Sequence, residues 1–517
     1  RELANHYKNE ESIVAWQIDN EFGHEGSDLC YCDLCKKEFN EYLKEKYNND
    51  INKLNETWGT IFWSQTYNTF EEIPLPKPTI TTHNPSLRME HERFRSESIE
   101  KYAKFQVDLL KEILGKNSVI IHDFSGGYFD KSYDFSKVGK HMDVVAYNNY
   151  PVWGGQKEPI PAWEIACGLD YMRGIKGQNF WITEAIMGAQ GHDVIGYLPR
   201  PRQAKMWSYQ GIAHGCSSLM YFRYRGATKG AEQYCYGIID QDNVKRRKFY
   251  EVQSFFKEMK DNEALTQSEV KSDVAVVYDY ESMASFRIQR QSFLMDYKQE
   301  VYRLYRPFYK KNINMDVIPS DSDFDKYKVL LLPVMIVHKK EVQDKVRKFV
   351  SGGGTVVFTY RTAVKDYYNN LTLGQFNPTY YTDLVGGYVE EVESFQDDQV
   401  AFLIGNEEFE GINGTATVFR DMLKTTTAKT LFKYEDEFFE DLAAVTLNEY
   451  EGGKVYYIGS GADNTIMDAI TNKIINESNL DAIESEEGVE VVRRSLNNED
   501  YYFVMNHTSD EKKFRNE

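Results

Sequence analysis

The sequence predicts an α/β protein with more than one domain and with a parallel sheet in its first half. Through residues 1–262, short apolar segments alternate with amphipathic, charge-rich segments, which is typical of strand–helix units around a parallel sheet. A second alternation of this kind begins near Lys271. The length of 517 residues and the hydrophobic content of 41% allow two or three separate cores.

The first region contains five predicted strands, each followed by a predicted helix. The strands cover residues 13–18, 118–121, 143–147, 179–183 and 217–222. The helices cover residues 33–46, 86–114, 161–174, 202–214 and 247–262. Parallel strands with polar residues at their carboxyl ends occur both in open doubly wound sheets and in the later part of a (β/α)8 barrel. No Gly-x-Gly-x-x-Gly follows any of these strands, which disfavours a dinucleotide-binding sheet.

The rest of the chain predicts a second α/β region and the start of a β domain. The second region has predicted strands at 274–278, 329–333, 355–358 and 455–459, with helices at 294–312 and 340–350. Its three consecutive glycines, 352–354, precede a strand, so we expect a helix C-cap there rather than a phosphate-binding loop. Residues 489–494 and 501–505 flank Asn497 and Asn498 and predict a β-hairpin.

The composition disfavours several classes of partner. A formal charge of −19 would repel nucleic acid and anionic membrane surfaces, whereas a neutral substrate fits better. No run of about 18 apolar residues is present, and no signal-peptide pattern opens the chain. The six cysteines do not have the spacing of a disulfide-stapled domain, so we expect a reducing compartment, the cytoplasm.

Two predicted strands of the first region lead into a glutamate. The strand at 13–18 is followed by Asn20 and Glu21, and the strand at 179–183 is followed by Glu184. Retaining glycoside hydrolysis needs two carboxyl groups about 5 Å apart, one protonated to donate to the leaving oxygen and one ionised to attack the anomeric carbon. A single glutamate at a strand end is usually only solvated or salt-bridged. Both glutamates together, with the preceding asparagine and the aromatic-rich strand ends, predict a glycosidase.

The segment that carries Glu21 resembles a known family. Residues 16–23, Trp-Gln-Ile-Asp-Asn-Glu-Phe-Gly, are similar to the acid/base segment of the β-galactosidases of glycoside hydrolase family 42. Residues 173–177, 201–225 and 230–234 also resemble segments of that family. The resemblance implies a (β/α)8 barrel with Glu21 as general acid/base after the fourth strand and Glu184 as nucleophile after the seventh. It implies a retaining exo-glycosidase that removes terminal β-D-galactose from galactosides or oligosaccharides.

By this comparison the chain begins in the helix before the fourth barrel strand. The sequence opens on Arg1 without an initiator Met and ends shortly after the predicted strand 501–505, so we expect further segments at both ends. Without barrel strands one to three the sheet edges would be exposed and the pocket incomplete, and we expect this piece alone to be inactive. The expected domains are an incomplete barrel at 1–265, an α/β domain at 266–482 and the start of a C-terminal β domain at 483–517.

The resemblance also assigns residues to the sugar pocket. Asn20 precedes the acid/base, Tyr150 is expected to donate a hydrogen bond to the nucleophile, and Glu232 is expected to hold galactose hydroxyls. His192 stands where the family usually has a stacking Trp, and Cys235 stands where it usually has a His. An imidazole offers less apolar area than an indole, and a thiol is a poor partner for a hydroxyl, so we expect altered recognition of the outer hydroxyls.

Three cysteines follow Glu21 closely in the sequence. Cys30, Cys32 and Cys35 offer three thiolates, and zinc in structural sites binds four ligands of this kind tetrahedrally. The resemblance implies a structural zinc whose fourth ligand is a Cys of the early barrel, outside this sequence. The other candidates for a fourth ligand are His24 and Asp28, and the alternative to zinc is a set of buried free thiols. No catalytic cofactor is expected.

The region after Lys271 resembles the trimerisation domain of the same family, whose fold is similar to that of glutamine amidotransferases. No Cys lies between residues 271 and 480, so the nucleophile of an amidotransferase is missing and a structural role is expected. The resemblance implies a homotrimer, with neither nucleic acid nor membrane as partner. Two other functions stay open: an α-L-arabinopyranosidase or another β-glycosidase of the same clan, and a catalytically silent carbohydrate-binding paralogue.

Overall fold

The first region of the chain is built on a sheet of five parallel strands that neighbour one another in chain order. The computed structural model describes residues 1–514. The strands are β1 (Trp16–Gln17), β2 (Ile120–Phe124), β3 (Val144–Asn149), β4 (Phe180–Ala185) and β5 (Cys216–Tyr221). The predicted strands are confirmed, and the parallel order is that of an incomplete (β/α)8 barrel. The strand β1 lies at the sheet edge and pairs only with β2, so its regular part is shorter than predicted.

Helices connect and flank these strands. Within the described residues they are α1 (Glu2–Tyr7), α2 (Asp33–Lys46), α3 (Ile51–Trp58), α4 (Pro85–Leu114), α5 (Phe135–Gly139), α6 (Ala162–Lys176), α7 (Gln203–Ala213) and α8 (Arg247–Asp261). The five predicted helices are confirmed to within two residues at each end, whereas α3 and α5 were not predicted. Helix α4 begins where Asn84 caps the N–H groups of Ser86 and Leu87, with Pro85 at the first helical position.

The middle region contains a second, larger sheet. The strands from 269 to 462 are β6 (Glu269–Val270), β7 (Val274–Tyr278), β8 (Met315–Pro319), β9 (Val329–Leu332), β10 (Thr355–Thr359), β11 (Gly387–Ser394), β12 (Ala401–Gly405), β13 (Asn413–Thr425), β14 (Lys429–Tyr434), β15 (Ala443–Tyr450), β16 (Gly453–Ile458) and β17 (Ser460–Ala462). The helices are α9 (Ala264–Gln267), α10 (Tyr280–Ile288), α11 (Tyr297–Tyr309), α12 (Lys340–Ser351), α13 (Thr382–Val385) and α14 (Asn464–Glu477).

This larger sheet has a parallel half and an antiparallel half. The strands β8, β7, β9, β10 and β16 are parallel neighbours in that order, and the remaining strands of the sheet continue it in antiparallel fashion. Of these five strands, β7, β8, β9 and β10 are buried at every position, and all five except β8 were predicted. The antiparallel half was not predicted, because strands such as β11, which has three glutamates and is exposed at half of its positions, lack a continuous apolar pattern.

The last described element is the predicted β-hairpin. Strands β18 (Val489–Leu496) and β19 (Glu499–Asn506) pair antiparallel, and β18 also pairs with β6. Asn497 and Asn498 both have positive φ angles, 51° and 66°, as the two central residues of a type I′ turn require. The hairpin is therefore attached to the rest of the molecule through β6.

One apolar core runs from the first sheet into the middle region. The ring of Tyr171 in α6 lies 5.4 Å from Phe129 and 5.2 Å from Tyr278 of β7, measured between centroids. Beside this core, Arg93 of α4 donates a hydrogen bond of 2.5 Å to Glu281 of α10. These contacts fix β7 and α10 of the middle region against the first region. Among residues 1–514, no helix combines the length and the apolar composition needed to cross a bilayer.

Candidate active site

Glu21 lies in a sharply turned segment at the carboxyl end of β1. The φ angles of Asp19 and Glu21 are 49° and 42°, in the left-handed region that residues with a side chain rarely adopt. Two side chains of the neighbouring strand β2 hold this turn. Asp123 accepts a hydrogen bond of 3.3 Å from the backbone N–H of Glu21, and His122 Nε2 accepts one of 3.3 Å from that of Phe22. The turn therefore directs the Glu21 side chain away from the strand.

The His122 ring is a fixed, neutral support of this turn. Its Nδ1 lies 2.9 Å from the carbonyl oxygen of Ile18, and its Nε2 accepts the Phe22 N–H, which assigns the proton to Nδ1. Burial lowers the pKa of His122 to about 4, so the ring stays uncharged at neutral pH. Strand β1 is thus held to β2 by side-chain bonds as well as by the ladder.

The carboxyl group of Glu21 is held by an amide from β3. Asn148 Nδ2 donates to Glu21 Oε1 at 2.8 Å and to Asp123 Oδ2 at 3.1 Å, while Thr183 Oγ1 donates to the Asn148 oxygen at 3.1 Å. Asn148 is fully buried. Because its amide is fixed from both ends, it orients Glu21 without adding a charge.

Glu184 lies within β4, directly beside Asn148 in the register of β3 and β4. Tyr150 donates a hydrogen bond of 2.5 Å to Glu184 Oε2, as expected from the sequence. Burial raises the pKa of Glu184, and the negative charges of Glu21 and Glu232 add to this rise, whereas the Tyr150 hydrogen bond opposes it. Glu21 is therefore close enough for its charge to affect the ionisation of Glu184.

Both glutamates line one cavity of about 650 Å³. Asn20, His192 and Glu232 also line it, with aromatic walls from Tyr150 and Trp153. A volume of this size is typical of small-molecule sites, which combine apolar walls with a few polar groups. The structure thus brings together Asn20, Glu21, Tyr150, Glu184, His192 and Glu232, as the sequence predicts.

The polar residues on the Glu184 side of the cavity contact one another. Glu232 forms an ion pair with Arg223, and His192 Nε2 lies 3.7 Å from Glu232 Oε1. The His192 ring stands edge-on to Trp153 with centroids 5.6 Å apart. An exposed imidazole therefore occupies a position from which it can face a bound ligand.

Cys235 is the exception among the predicted pocket residues. Its side chain is fully buried, its thiol points to the carbonyl oxygen of Gly191 at 3.8 Å, and it does not line the cavity. Its backbone N–H donates to the carbonyl of Glu232 at 3.0 Å, so the residue lies behind the segment that carries Glu232. The expectation of direct sugar contact by Cys235 is not met in this structure, because the short side chain turns inward.

Three polar residues around Glu21 were not assigned to the site from the sequence: His122, Asp123 and Asn148. Burial raises the pKa of Asp123 to about 7, against the opposing effect of the Asn148 hydrogen bond. Polar residues interrupt otherwise apolar strands at these three positions, and that interruption is the signal that could have identified them.

The sulfur atoms of Cys30, Cys32 and Cys35 lie within 4.8 Å of one another. In a tetrahedral zinc site with Zn–S bonds of about 2.3 Å, sulfurs are about 3.8 Å apart, so small side-chain adjustments suffice for one ion. Hydrogen bonds, chiefly from the Cys35 backbone, lower the pKa of Cys32 to about 7, whereas burial raises that of Cys35 to about 12. The cluster can therefore hold a metal ion.

Neither alternative fourth ligand joins these thiols among the described residues. His24 lies beside Glu21, with His24 Nε2 and Glu21 Oε2 3.8 Å apart. Asp28 forms a buried ion pair with Arg95. The three-thiol group is thus the part of the site that this structure contains.

Comparison with known proteins identifies three successive parts of the chain. The β-galactosidase family model matches residues 1–262, the β-galactosidase trimerisation domain matches residues 272–481, and the β-galactosidase C-terminal domain matches residues 488–515. The matches follow one another in the order of the three sheets described above.

Individual relatives agree with these matches. The β-galactosidase BgaA of Clostridium cellulovorans is 30% identical over 520 residues, which cover 99% of this chain and 76% of the relative. The β-galactosidase LacZ of Heyndrickxia coagulans is 31% identical, with 98% and 75% covered. The crystal structure of a β-galactosidase from Bacillus circulans sp. alkalophilus superposes with a TM-score of 0.93 at 29% identity, covering 99% of this chain and 76% of that one. The chain therefore belongs to the β-galactosidases of glycoside hydrolase family 42.

Proposed function

We propose that the protein hydrolyses terminal non-reducing β-D-galactosyl residues of β-galactosides with retention of configuration. Glu21 is the general acid/base and Glu184 is the nucleophile. The observation that carries this proposal is that carboxyl groups from the ends of β1 and β4 line one cavity, each held by its own side-chain donor. The similarity to β-galactosidases over nearly the whole chain supports galactosides as the substrates.

The proposed reaction has two displacements. Glu184 attacks the anomeric carbon while the bond to the leaving oxygen breaks and that oxygen takes the proton of Glu21. Water then attacks the galactosyl–enzyme ester, gives its proton to Glu21, and releases Glu184 as a carboxylate. Burial alone would favour protonated Glu184. Its assignment as nucleophile depends on its strand position in the family and on the Tyr150 hydrogen bond, which stabilises the ionised form.

In the full-length protein, which is used in all the activity measurements below, rescue by azide distinguishes the two roles. In a Glu184→Gly variant, activity on an aryl β-galactoside should be abolished, and azide should restore turnover with an α-galactosyl azide product. In a Glu21→Gly variant, hydrolysis of galactosides with poor leaving groups should fall about 10²- to 10⁴-fold, and azide should give a β-galactosyl azide. Products of the opposite configuration would reverse the assignment. Parent-like activity in either variant would refute the assignment, whereas absence of activity in the parent itself would favour a catalytically silent paralogue.

Asn20, Tyr150, His192 and Glu232 are proposed to contact the sugar. Cys235 is proposed to act behind them, since its N–H donates to the Glu232 carbonyl.

One observation favours a second candidate function, an α-L-arabinopyranosidase. His192, 46% exposed, provides less apolar cover than a Trp would for the hydroxymethyl end of galactose. Comparison of kcat/KM for nitrophenyl β-D-galactopyranoside and α-L-arabinopyranoside decides between the two.

We propose that the chain has three units, with boundaries at 1–265, 266–482 and 483–517.

We also propose that the protein assembles into a homotrimer. The match of 272–481 to a trimerisation domain supports an oligomer. The structure also has an exposed apolar tip, in which Ile61, Phe62 and Trp63 are 85%, 64% and 64% exposed. A contiguous group of exposed apolar side chains often marks a surface that contacts another protein. Light scattering should give the mass of three chains, and a monomer would contradict the proposal.

We propose that Cys30, Cys32 and Cys35 bind zinc in a structural role. The donor set is of the type that zinc prefers, and three thiolates with a fourth protein ligand leave no open position for substrate. When bound, the ion would cross-link the segment after Glu21 to the start of α2. Removal of the metal should therefore affect stability before catalysis.

A cytoplasmic location is proposed on the basis of the cysteines. All six are free thiols in the described part of the chain, and the exposed Cys30 and Cys32 would be open to oxidation outside a reducing compartment. Cell fractionation with thiol labelling tests this: the enzyme should be found with cytoplasmic markers and with its thiols reduced.

A further inference from the structure

The cavity that contains Glu21 and Glu184 is lined in part by a different domain. Lys298 and Tyr302 belong to α11 of the middle region, yet both line this cavity together with Glu164 at the start of α6. The proposed sugar contacts do not involve these three residues. Since a single galactosyl unit has all its proposed contacts elsewhere, this part of the cavity is available for another group.

The polar groups in this part of the cavity are only partly satisfied. Tyr302 Oη donates to Glu164 Oε1 at 3.0 Å, and Lys298 Nζ lies 3.9 Å from the same oxygen. Among residues 1–514, Glu164 Oε2 and the Lys298 ammonium make no hydrogen bond within 3.5 Å. The side chains of Glu164 and Lys298 are 19% and 32% exposed, respectively, so an acceptor and a set of donors face the cavity.

Apolar and aromatic side chains enclose these polar groups. Tyr128 lines the same part of the cavity, donates to the backbone oxygen of Glu164 at 2.5 Å and lies 3.2 Å from Tyr302, oxygen to oxygen. Ile160 adds an aliphatic wall. An acceptor and donors set among aromatic rings match a sugar ring, which presents hydroxyls at its rim and C–H groups on its faces.

We infer that Glu164, Lys298 and Tyr302 form the binding site for the leaving group and that this site selects a neutral saccharide. The inference rests on the proposed function, in which Glu21 protonates the leaving oxygen inside this cavity. The carboxylate of Glu164 offsets the charge of Lys298, so the site has no net charge with which to attract a phosphorylated sugar. The middle domain thereby contributes to substrate selection.

The unmodified enzyme provides the first test. Lactose and methyl β-D-galactopyranoside both release an alcohol, but only the glucose of lactose is large enough to extend toward Lys298 and Glu164, which line the same cavity as Glu21. We expect kcat/KM for lactose to exceed that for the methyl galactoside by about tenfold or more, since hydrogen bonds to charged groups contribute on this scale. Equal values would overturn the inference. This comparison needs no variant, so misfolding cannot obscure it.

Variants provide the second test. In Lys298→Met, the ratio of kcat/KM for lactose to that for the methyl galactoside should fall about tenfold, mostly through KM, and Lys298→Arg should restore much of it. Lys310→Met is the matched control, because Lys310 follows the other end of α11 and pairs with Asp468 outside the cavity. A ratio unchanged in folded Lys298→Met would overturn the site. Failure of the proposed function would appear separately, in the azide experiment.

Discussion

Tyr150 donates a hydrogen bond of 2.5 Å to Glu184. Burial, together with the negative charge of Glu184, holds the pKa of Tyr150 far above its usual range, so the phenol remains a donor at every pH at which the enzyme is folded. The ring of Trp153, edge-on at 4.8 Å, fixes its position. This bond is the main protein interaction that offsets the effect of burial on Glu184.

Removal of the Tyr150 hydroxyl should move the acidic limb of the pH profile. In Tyr150→Phe, burial still raises the pKa of Glu184 and the opposing hydrogen bond is lost, so that pKa rises further. Ionised Glu184 then becomes scarce at a higher pH than in the parent. We expect the acidic limb of kcat/KM to shift upward by about one pH unit and the value at neutral pH to fall about tenfold or more.

The matched control is Tyr209→Phe, which removes another tyrosine–glutamate hydrogen bond, to Glu258, away from the cavity. Its pH profile should coincide with that of the parent. An acidic limb that stays in place in Tyr150→Phe, or that shifts equally in both variants, would contradict the role of Tyr150.

Zinc content should depend on the cysteine cluster. We expect close to one zinc per chain in the purified enzyme, and much less in Cys32→Ser, because a serine hydroxyl is a poor zinc ligand at neutral pH. The melting temperature should fall in that variant, whereas kcat/KM of the remaining folded enzyme should change less than twofold. Cys167→Ala, in the buried face of α6, is the control and should keep its metal. Equal zinc in both variants would rule out the cluster as the site.

The sequence predicts the fold best where burial is continuous on both faces of a strand. The strands β7, β9 and β10 are buried throughout and predominantly apolar, and their positions were predicted closely. By contrast, half of the residues of β11 are exposed, and its three glutamates interrupt the hydrophobic periodicity by which a strand is predicted. The strands of the antiparallel half are stabilised by pairing with one another. A local pattern in the sequence does not show which segments pair.

For the site, the sequence locates the two glutamates but not the residues that hold them. Glu21 and Glu184 follow apolar strands, and this pattern can be recognised from the sequence alone. Asp123 and Asn148 contact Glu21 only because β1, β2 and β3 are neighbours in that order. The expectation that Cys235 lines the cavity failed for a different reason. Position along a loop does not indicate the direction in which a side chain points.

Asp123 should make the stability of the enzyme depend on pH. Its pKa in the folded protein is about 7, against 3.8 for an unperturbed carboxyl, so unfolding releases a proton between these values. Its contribution is fully present below about pH 4 and is lost as the pH rises toward 7, by at most about 4 kcal/mol. Asp123→Asn cannot ionise. The unfolding midpoint of that variant, relative to the parent, should therefore rise between pH 4.5 and 7.

The control for this measurement is Asp108→Asn, on the exposed face of α4, where the side chain is 62% exposed. Its midpoint relative to the parent should stay nearly constant over the same interval. A constant difference for Asp123→Asn as well would mean that Asp123 is already ionised at low pH in the folded enzyme.

Arg93 should be a sensitive ion-pair residue between the first region and the middle domain. It is 2% exposed and lies between Glu90, at 2.9 Å, and Glu281, at 2.5 Å. Arg93→Met leaves two buried carboxylates without this partner, which costs about 3–5 kcal/mol for a buried pair. Lys104→Met, which breaks the exposed pair with Asp108 on the same helix, should cost less than about 1 kcal/mol. Because α11 carries Lys298, partial release of the middle domain in Arg93→Met should also lower kcat/KM for lactose more than for the methyl galactoside. Denaturant unfolding at equal protein concentration measures the loss of stability in Arg93→Met and Lys104→Met. Similar losses of stability in both variants would show that the Arg93 pair is no stronger than a surface contact.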